Sequence, residues 1–227
     1  MVQDFLNLLF PVICACCDQA LHKHENCFCT ACRNDLPLTK DVHIEENETK
    51  KVFYGRIPIE KASSLFYYEK SGIVQNLLHD LKYRGNQKIG EVLGNWHAKL
   101  LSENGWRNVF DCIVPVPIHK KRRRERGYNQ VDKYADALAN QLNAKCIKDL
   151  LLRNHKSRTQ VFKNRIARTK VTQSDFFLTE IDIHKTPKHI LLVDDIITTG
   201  ATLEACSREL LKIKDVKISI ASMALAK

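Results

Sequence analysis

Asp194 and Asp195 stand side by side between an apolar run, residues 190–193, and a small hydroxyl-rich turn, Thr198-Thr199-Gly200-Ala201-Thr202. Past the turn the apolar period changes: Leu203, Cys206, Leu210 and Ile213 recur at helical spacing. The segment reads as a buried strand, a loop and the first turn of a helix. The first N–H groups of a helix lack intrahelical partners and carry partial positive charge, so the turn suits a phosphate. Gly200 permits close backbone approach, and the threonines add hydroxyl donors. The two carboxylates would repel a phosphate but suit the vicinal hydroxyls of a sugar. Together the groups describe a ribose 5-phosphate site. Two competing phosphate motifs are absent: there is no G-x-x-x-x-G-K-[ST], and no G-x-G-x-x-G follows a strand.

A second chemistry sits near the N-terminus. Six of the nine cysteines fall between Cys14 and Cys32. Cys14/Cys17 and Cys29/Cys32 form two C-x-x-C pairs, the spacing of a closed tetrahedral shell for a structural Zn²⁺. Cys16, Cys27, His22 and His24 stand as alternative ligands. So small a region needs a staple, and a metal supplies one.

A third feature is charge. Lys120, Lys121, Arg122, Arg123, Arg124 and Arg126 crowd one stretch at a strand's carboxyl edge, read as a loop. A solvated basic face is the plain reading. The functional ones are neutralisation of a pyrophosphate or contact with a nucleic-acid backbone. A second basic segment runs from Arg153 to Lys170, as a lid or a surface loop. The whole chain of 227 residues carries 36 Lys and Arg against 26 Asp and Glu, a formal charge of +10, which favours anionic partners.

Around these groups the sequence implies an α/β domain. A strand centres on residues 64–68, and Ile73, Val74, Leu77, Leu78 and Leu81 mark a helix ending in Lys82-Tyr83-Arg84-Gly85. Lys82 and Arg84 suit that helix end as capping cations, with a phosphate contact as the alternative. Another helix carries Ile89, Val92, Leu93, Trp96 and Leu100. A short strand at 111–117, stopped by prolines, leads into the basic stretch, and Val131, Tyr134, Ala135, Leu138 and Leu142 share a helix face. Residues 41–50, polar and aperiodic, read as an exposed linker, so that residues 1–50 form a knuckle with its linker and residues 51–227 the main domain. No stretch is apolar enough to span a bilayer, and the N-terminus lacks the basic region of a secretory signal, so a cytoplasmic location is expected.

The strand ending in two acids before T-T-G-x-T resembles the fingerprint of type I phosphoribosyltransferases. That likeness implies 5-phosphoribosyl 1-pyrophosphate (PRPP) as ligand, with Mg²⁺. The paired cysteines, Leu-Lys-Tyr-Arg-Gly (81–85), Arg126-Gly127-Tyr128-Asn129-Gln130 and the acidic loop occur in the order of the ComF family of natural competence. The resemblance implies a phosphoribosyltransferase-like parallel sheet flanked by helices, a small zinc knuckle, and a role in handling single-stranded DNA. Partners in the competence machinery, such as a DNA helicase, follow from the same likeness. Carried over, Asp194 and Asp195 would hold the ribose and residues Thr198 to Thr202 the 5′-phosphate. One departure stands in the second basic segment, where Val171 occupies the place of the family's Asn.

Overall fold

Continuous apolar runs build the centre of the sheet, as expected for strands buried on both faces. The structure, a computed structural model, describes residues 11–153, 175–179 and 186–227. The second basic segment beyond Arg153, including Val171, lies outside the described residues.

Five parallel strands form the sheet in the order β1-β7-β6-β2-β3. They are β1 (Ala62–Tyr68), β2 (Cys112–Pro115), β3 (Lys145–Cys146), β6 (His189–Ile197) and β7 (Lys217–Ala226). A separate antiparallel pair, β4 (Leu151–Arg153) and β5 (Phe176–Leu178), forms a small hood. On one face lie α3 (Ile73–Tyr83), α4 (Lys88–Glu103) and α6 (Asp132–Leu142), whose Leu77, Leu93 and Leu138 pack with Leu191 and Val193 of β6. The other face receives α7 (Ala201–Leu210), whose Leu203, Cys206 and Leu210 pack with Ile190 and Leu192. At Gly94 an added Cβ would lie 2.7 Å from Ala137 Cβ, so this glycine lets α4 and α6 touch closely.

After β2 the chain crosses through α6 outward to β3; after β6 it crosses through α7 to β7 on the other side. Successive connections therefore diverge between β2 and β6. Ligands of open α/β sheets bind at such a point, beyond the strand carboxyl ends.

Three expectations change. The strand does not stop at the acids: β6 continues through Asp194 and Asp195, because Ile196 and Ile197 still pair with Ala224 and Leu225 of β7. The basic stretch is a helix, α5 (Lys120–Arg126), rather than a loop. Lys and Arg are good helix formers, His119 caps the start through Lys121 N–H, and Gly127 ends it at φ +78°. Residues 41–50 are not an exposed linker. They hold a short 3₁₀ turn (Asp41–His43) and α2 (Glu48–Lys51), with Asp41, Asn47 and Thr49 buried. Asn47 Nδ2 donates to Ala62 O at 2.7 Å, and Ser64 N–H donates to Asp41 at 3.1 Å, so side chains satisfy the backbone beside β1.

Candidate functional site

Successive side chains of a strand point to opposite faces, and that alternation separates the two acids. Asp195 continues the row of Leu191 and Val193, on the side of α3 and α6. There Lys82 Nζ lies 3.0 Å from Asp195 Oδ2, and Gln130 Nε2 donates to the same oxygen at 2.9 Å. Gln130 in turn accepts from Arg126 Nη1 at 2.8 Å. The Tyr128 hydroxyl donates to Leu81 O, and Arg126 stacks over Tyr83 at 5.0 Å. The helix end at 81–85 and the segment 126–130 thus interlock around one carboxylate. Lys82 is a partner of Asp195 rather than a capping cation. Arg84 reaches Asp80 and Asp18, each at 3.4 Å, and ties α3 to the N-terminal region.

Asp194 continues the row of Ile190 and Leu192, on the side of α7 and the hood. It is 9% exposed, and one oxygen accepts from Asp195 N–H at 2.8 Å. Burial, then the neighbouring Asp195 charge, pushes its carboxyl up to about 8, with Lys82 and Arg153 opposing. Burial thus biases Asp194 toward its protonated form.

Asp194 also lines a small hollow of about 30 Å³ with Thr198, Thr199, Gly200, Ala201 and Thr202. Gly200 caps α7 at φ +74°, and a Cβ there would meet Val52 Cγ1 at 2.8 Å. Only glycine fits that conformation and that space. Arg56 holds the turn from below: Nη1 donates to Thr199 O at 2.6 Å, and the guanidinium pairs with Glu204 of α7. Arg208 joins Glu204 at 2.8 Å. The threonines and the α7 N-terminus are thereby fixed around an open hollow.

Helix α5 divides the basic residues between its two flanks. Arg122 and Arg126, with Lys82, Tyr83, Gly85, Tyr128 and the one acid Glu125, surround a polar pocket of about 320 Å³ beside Asp195. Lys120, Arg123 and Arg124 turn to a different pocket, toward the hood. Lys121 is exposed and lies 3.9 Å from Glu125. Among the described residues, Lys120, Arg122, Arg123 and Arg124 have no ion-pair partner.

At the N-terminal end, the sulfurs of Cys14, Cys17, Cys29 and Cys32 lie within 4.8 Å of one another. Cys17 and Cys29 are 3.9 Å apart, close to the ~3.8 Å edge of a tetrahedron built on ~2.3 Å Zn–S bonds. The donor set fits a metal. Burial opposes charge on Cys14, yet amide donors from Cys29 and Cys16 bring its thiol down to about 7. Cys16 and Cys27 sit in the apolar core, and burial pushes both up to about 12. His22 and His24 do not join the group of sulfurs.

Sequence reasoning gave no role to Gln130 or Arg56. Gln130 belongs to a segment already singled out, and a buried amide beside a strand's acid was its one signal. Arg56 had none.

The phosphoribosyl transferase domain family matches residues 133–227, which contain β6, the turn and α7. DNA utilization protein YhgH of Escherichia coli (strain K12) is 26% identical over 142 residues, 60% of each chain. Competence protein F of Haemophilus influenzae is 30% identical over 116 residues, 51% of each chain. Competence protein ComFC of Bacillus subtilis is 27% identical over 158 residues, 70% of this chain and 61% of that one. The matched region thus spans about 60% of the length of such relatives. Among solved structures, a glutamine PRPP amidotransferase from B. subtilis superposes with a TM-score of 0.41 at 12% identity, over 64% of this chain and 30% of that one. The ComF resemblance read from the motifs is borne out by these relatives, and the fold is phosphoribosyltransferase-like. No helix among the described residues is long and apolar enough to cross a membrane.

Proposed function

We propose that this chain binds PRPP together with Mg²⁺, and that it acts in the cytoplasm in DNA uptake by handling single-stranded DNA. The observation that carries the reading is the meeting of three groups at one sheet edge. These are the open turn at 198–202, the acids Asp194 and Asp195, and the cationic pocket of Lys82, Arg122 and Arg126. In this reading the 5′-phosphate sits on the turn's amides, the sugar hydroxyls meet the acids, and the pyrophosphate fills the cationic pocket. When bound with the pyrophosphate, Mg²⁺ would supply charge neutralisation in addition to that of Lys82, Arg122 and Arg126. Lys82, Arg122 and Arg126 would hold the leaving group as the bond from the anomeric carbon to pyrophosphate oxygen breaks and its electron pair departs. A nucleophilic atom of the acceptor would form the new bond to that carbon. The four sulfurs would hold a structural Zn²⁺, and the names of the similar proteins support the link to competence and DNA use.

Calorimetry with PRPP and Mg²⁺ tests the pocket. The wild type is expected to bind, and Asp195→Asn to bind about tenfold or more weakly. Absence of binding by the wild type removes the reading. Pyrophosphate release with candidate acceptors then tests turnover.

The unpaired cations of α5 favour a second reading, a single-stranded DNA or nucleotide-sensing scaffold without turnover. It predicts a steep fall of log affinity with log salt, flattened when Arg122, Arg123 and Arg124 are replaced by Gln. An unchanged slope clears α5 of backbone contact.

A further inference from the structure

The pocket beside Asp195 has a larger neighbour. It lies on the opposite flank of α5, between the segment after β2 and the hood, with a volume of about 450 Å³. That is the size range of small-molecule sites. Its walls combine two kinds of surface. Ile118, Leu151, Leu152 and Phe177 supply an apolar side, and Phe177 is left 43% exposed there. Facing them are Lys120, Arg123, Arg124, Lys148 and Arg153.

The charges do not cancel within the pocket. Lys148 is already paired with Asp136 at 2.8 Å, and Arg153 lies over the Phe176 ring at 5.2 Å. Asp132 is the one acid in the lining. Burial pushes its carboxyl up, with Lys148 and then Arg123 opposing. Arg124 and Lys120 are left without an ion-pair partner among the described residues. Asn129 is also committed, donating to Val116 O at 3.0 Å. What the pocket offers a ligand is therefore a flat apolar wall and surplus positive charge.

We infer that this pocket binds a small planar ring compound carrying an anionic group, a carboxylate or a phosphate. A ring lies against Phe177 and the branched side chains with little loss of freedom, and guanidinium groups match planar oxyanions better than point charges do. A neutral base would leave the cationic side uncompensated. Arg153 links this pocket to the acidic pair, since its charge acts on Asp194. Calling the occupant the acceptor of the phosphoribosyl group rests on the PRPP reading above. The binding site itself does not.

The test uses the full chain and three probes with one ring system: 2-naphthoate, 2-naphthyl phosphate and 2-naphthamide. At least one of the two anionic probes is expected to bind about tenfold or more tightly than the amide, and the tighter of the two names the acid group. In the double variant Arg123→Gln/Arg124→Gln that preference should shrink to within about threefold. These side chains are exposed and unpaired, so the variant should melt like the wild type. Phe177→Ala should weaken all three probes together. Equal binding of acid and amide by the wild type, or no saturable binding of either acid, overturns the inference. So does displacement of the bound acid by oligothymidine, abolished in Phe177→Ala, which assigns the pocket to single-stranded DNA. Titration of PRPP and Mg²⁺ into the same samples separates the two claims. Loss of PRPP binding with the acid preference intact refutes the ribose-phosphate site and leaves this one standing.

Discussion

Asp194 and Asp195 are neighbours in the chain, yet they face different environments across the sheet. Asp195 meets an ammonium at 3.0 Å, brought by α3, and an amide at 2.9 Å, brought by the turn before α6. Asp194 looks toward α7 and the hood, gets one backbone N–H, and has its carboxyl pushed up to about 8 by burial. One carboxyl is given a cation and an amide donor, the other is buried with a single backbone N–H. The same residue type thus supplies an anchored acceptor on one side and, on the other, a carboxyl that burial biases toward its protonated form.

The Asp195 side depends on the cysteine cluster. The knuckle shares a continuous apolar core with α3 and α4, Asn76 of α3 donates to Cys16 O at 3.3 Å, and Arg84 reaches Asp18. Chelation of the proposed Zn²⁺, or Cys14→Ser, should therefore have a large effect, a loss of at least about 3 kcal/mol. Hydrogen exchange gives the sharper readout. Amides of α3 should lose protection while those of α7 keep theirs. Equal loosening of both helices would remove the distinction between the two sides.

Breaking the anchored acid comes next. Asp195→Ala leaves Lys82 and Gln130 without their shared acceptor. Lys82 is 21% exposed and can turn to water, so the cost should be about 2 kcal/mol rather than the larger figure for a fully buried pair. Urea denaturation measures it. Adding Lys82→Met should recover part of the loss, because no unpaired charge then remains. A double variant less stable than the sum of the singles contradicts this account.

How much of this is legible in the sequence depends on distance along the chain. The strand, turn and helix at 190–202 follow from local apolar spacing, and the cysteine pairs from local C-x-x-C spacing. The interlock is different in kind. Gln130 meets Asp195 across 65 positions, and Arg56 meets Glu204 across 148. No local period announces such a pair. Helix α5 was legible as charge but not as structure, because its sequence lacks the apolar stripe that marks a packed helix. The burial of Asp41 and Thr49 was hidden for the opposite reason. Polar side chains are usually exposed, and these are buried because they satisfy one another and the backbone of β1.

The phosphate turn offers a smaller perturbation on the Asp194 side. Gly200→Ala places a side chain at φ +74° and 2.8 Å from Val52 Cγ1, at a cost of about 1–2 kcal/mol. Because Thr199 and the α7 N-terminus must shift with it, affinity for PRPP should fall more than stability does. A variant that melts lower but binds unchanged would detach the turn from the ligand.

The dependence on pH has the most distinctive sign. A carboxyl near 3.8 in the unfolded chain and about 8 in the folded one binds more protons when folded. Stability contributed by protonated Asp194 is then complete below about pH 4 and declines as pH rises toward 8. Asp194→Asn keeps an oxygen for the Asp195 N–H and cannot ionise, so it removes that decline. The variant's melting temperature should match the wild type near pH 4 and exceed it by a margin that widens toward pH 8.5. The difference should grow through the interval and stay level above it. Asp195→Asn should relieve only part of that decline, since the burial of Asp194 remains, and should lower the melting point at both pH values because Lys82 loses its carboxylate partner. Should both substitutions raise the melting point at pH 8.5, the pair behaves as one shared acidic site and the contrast between the two faces of β6 is lost.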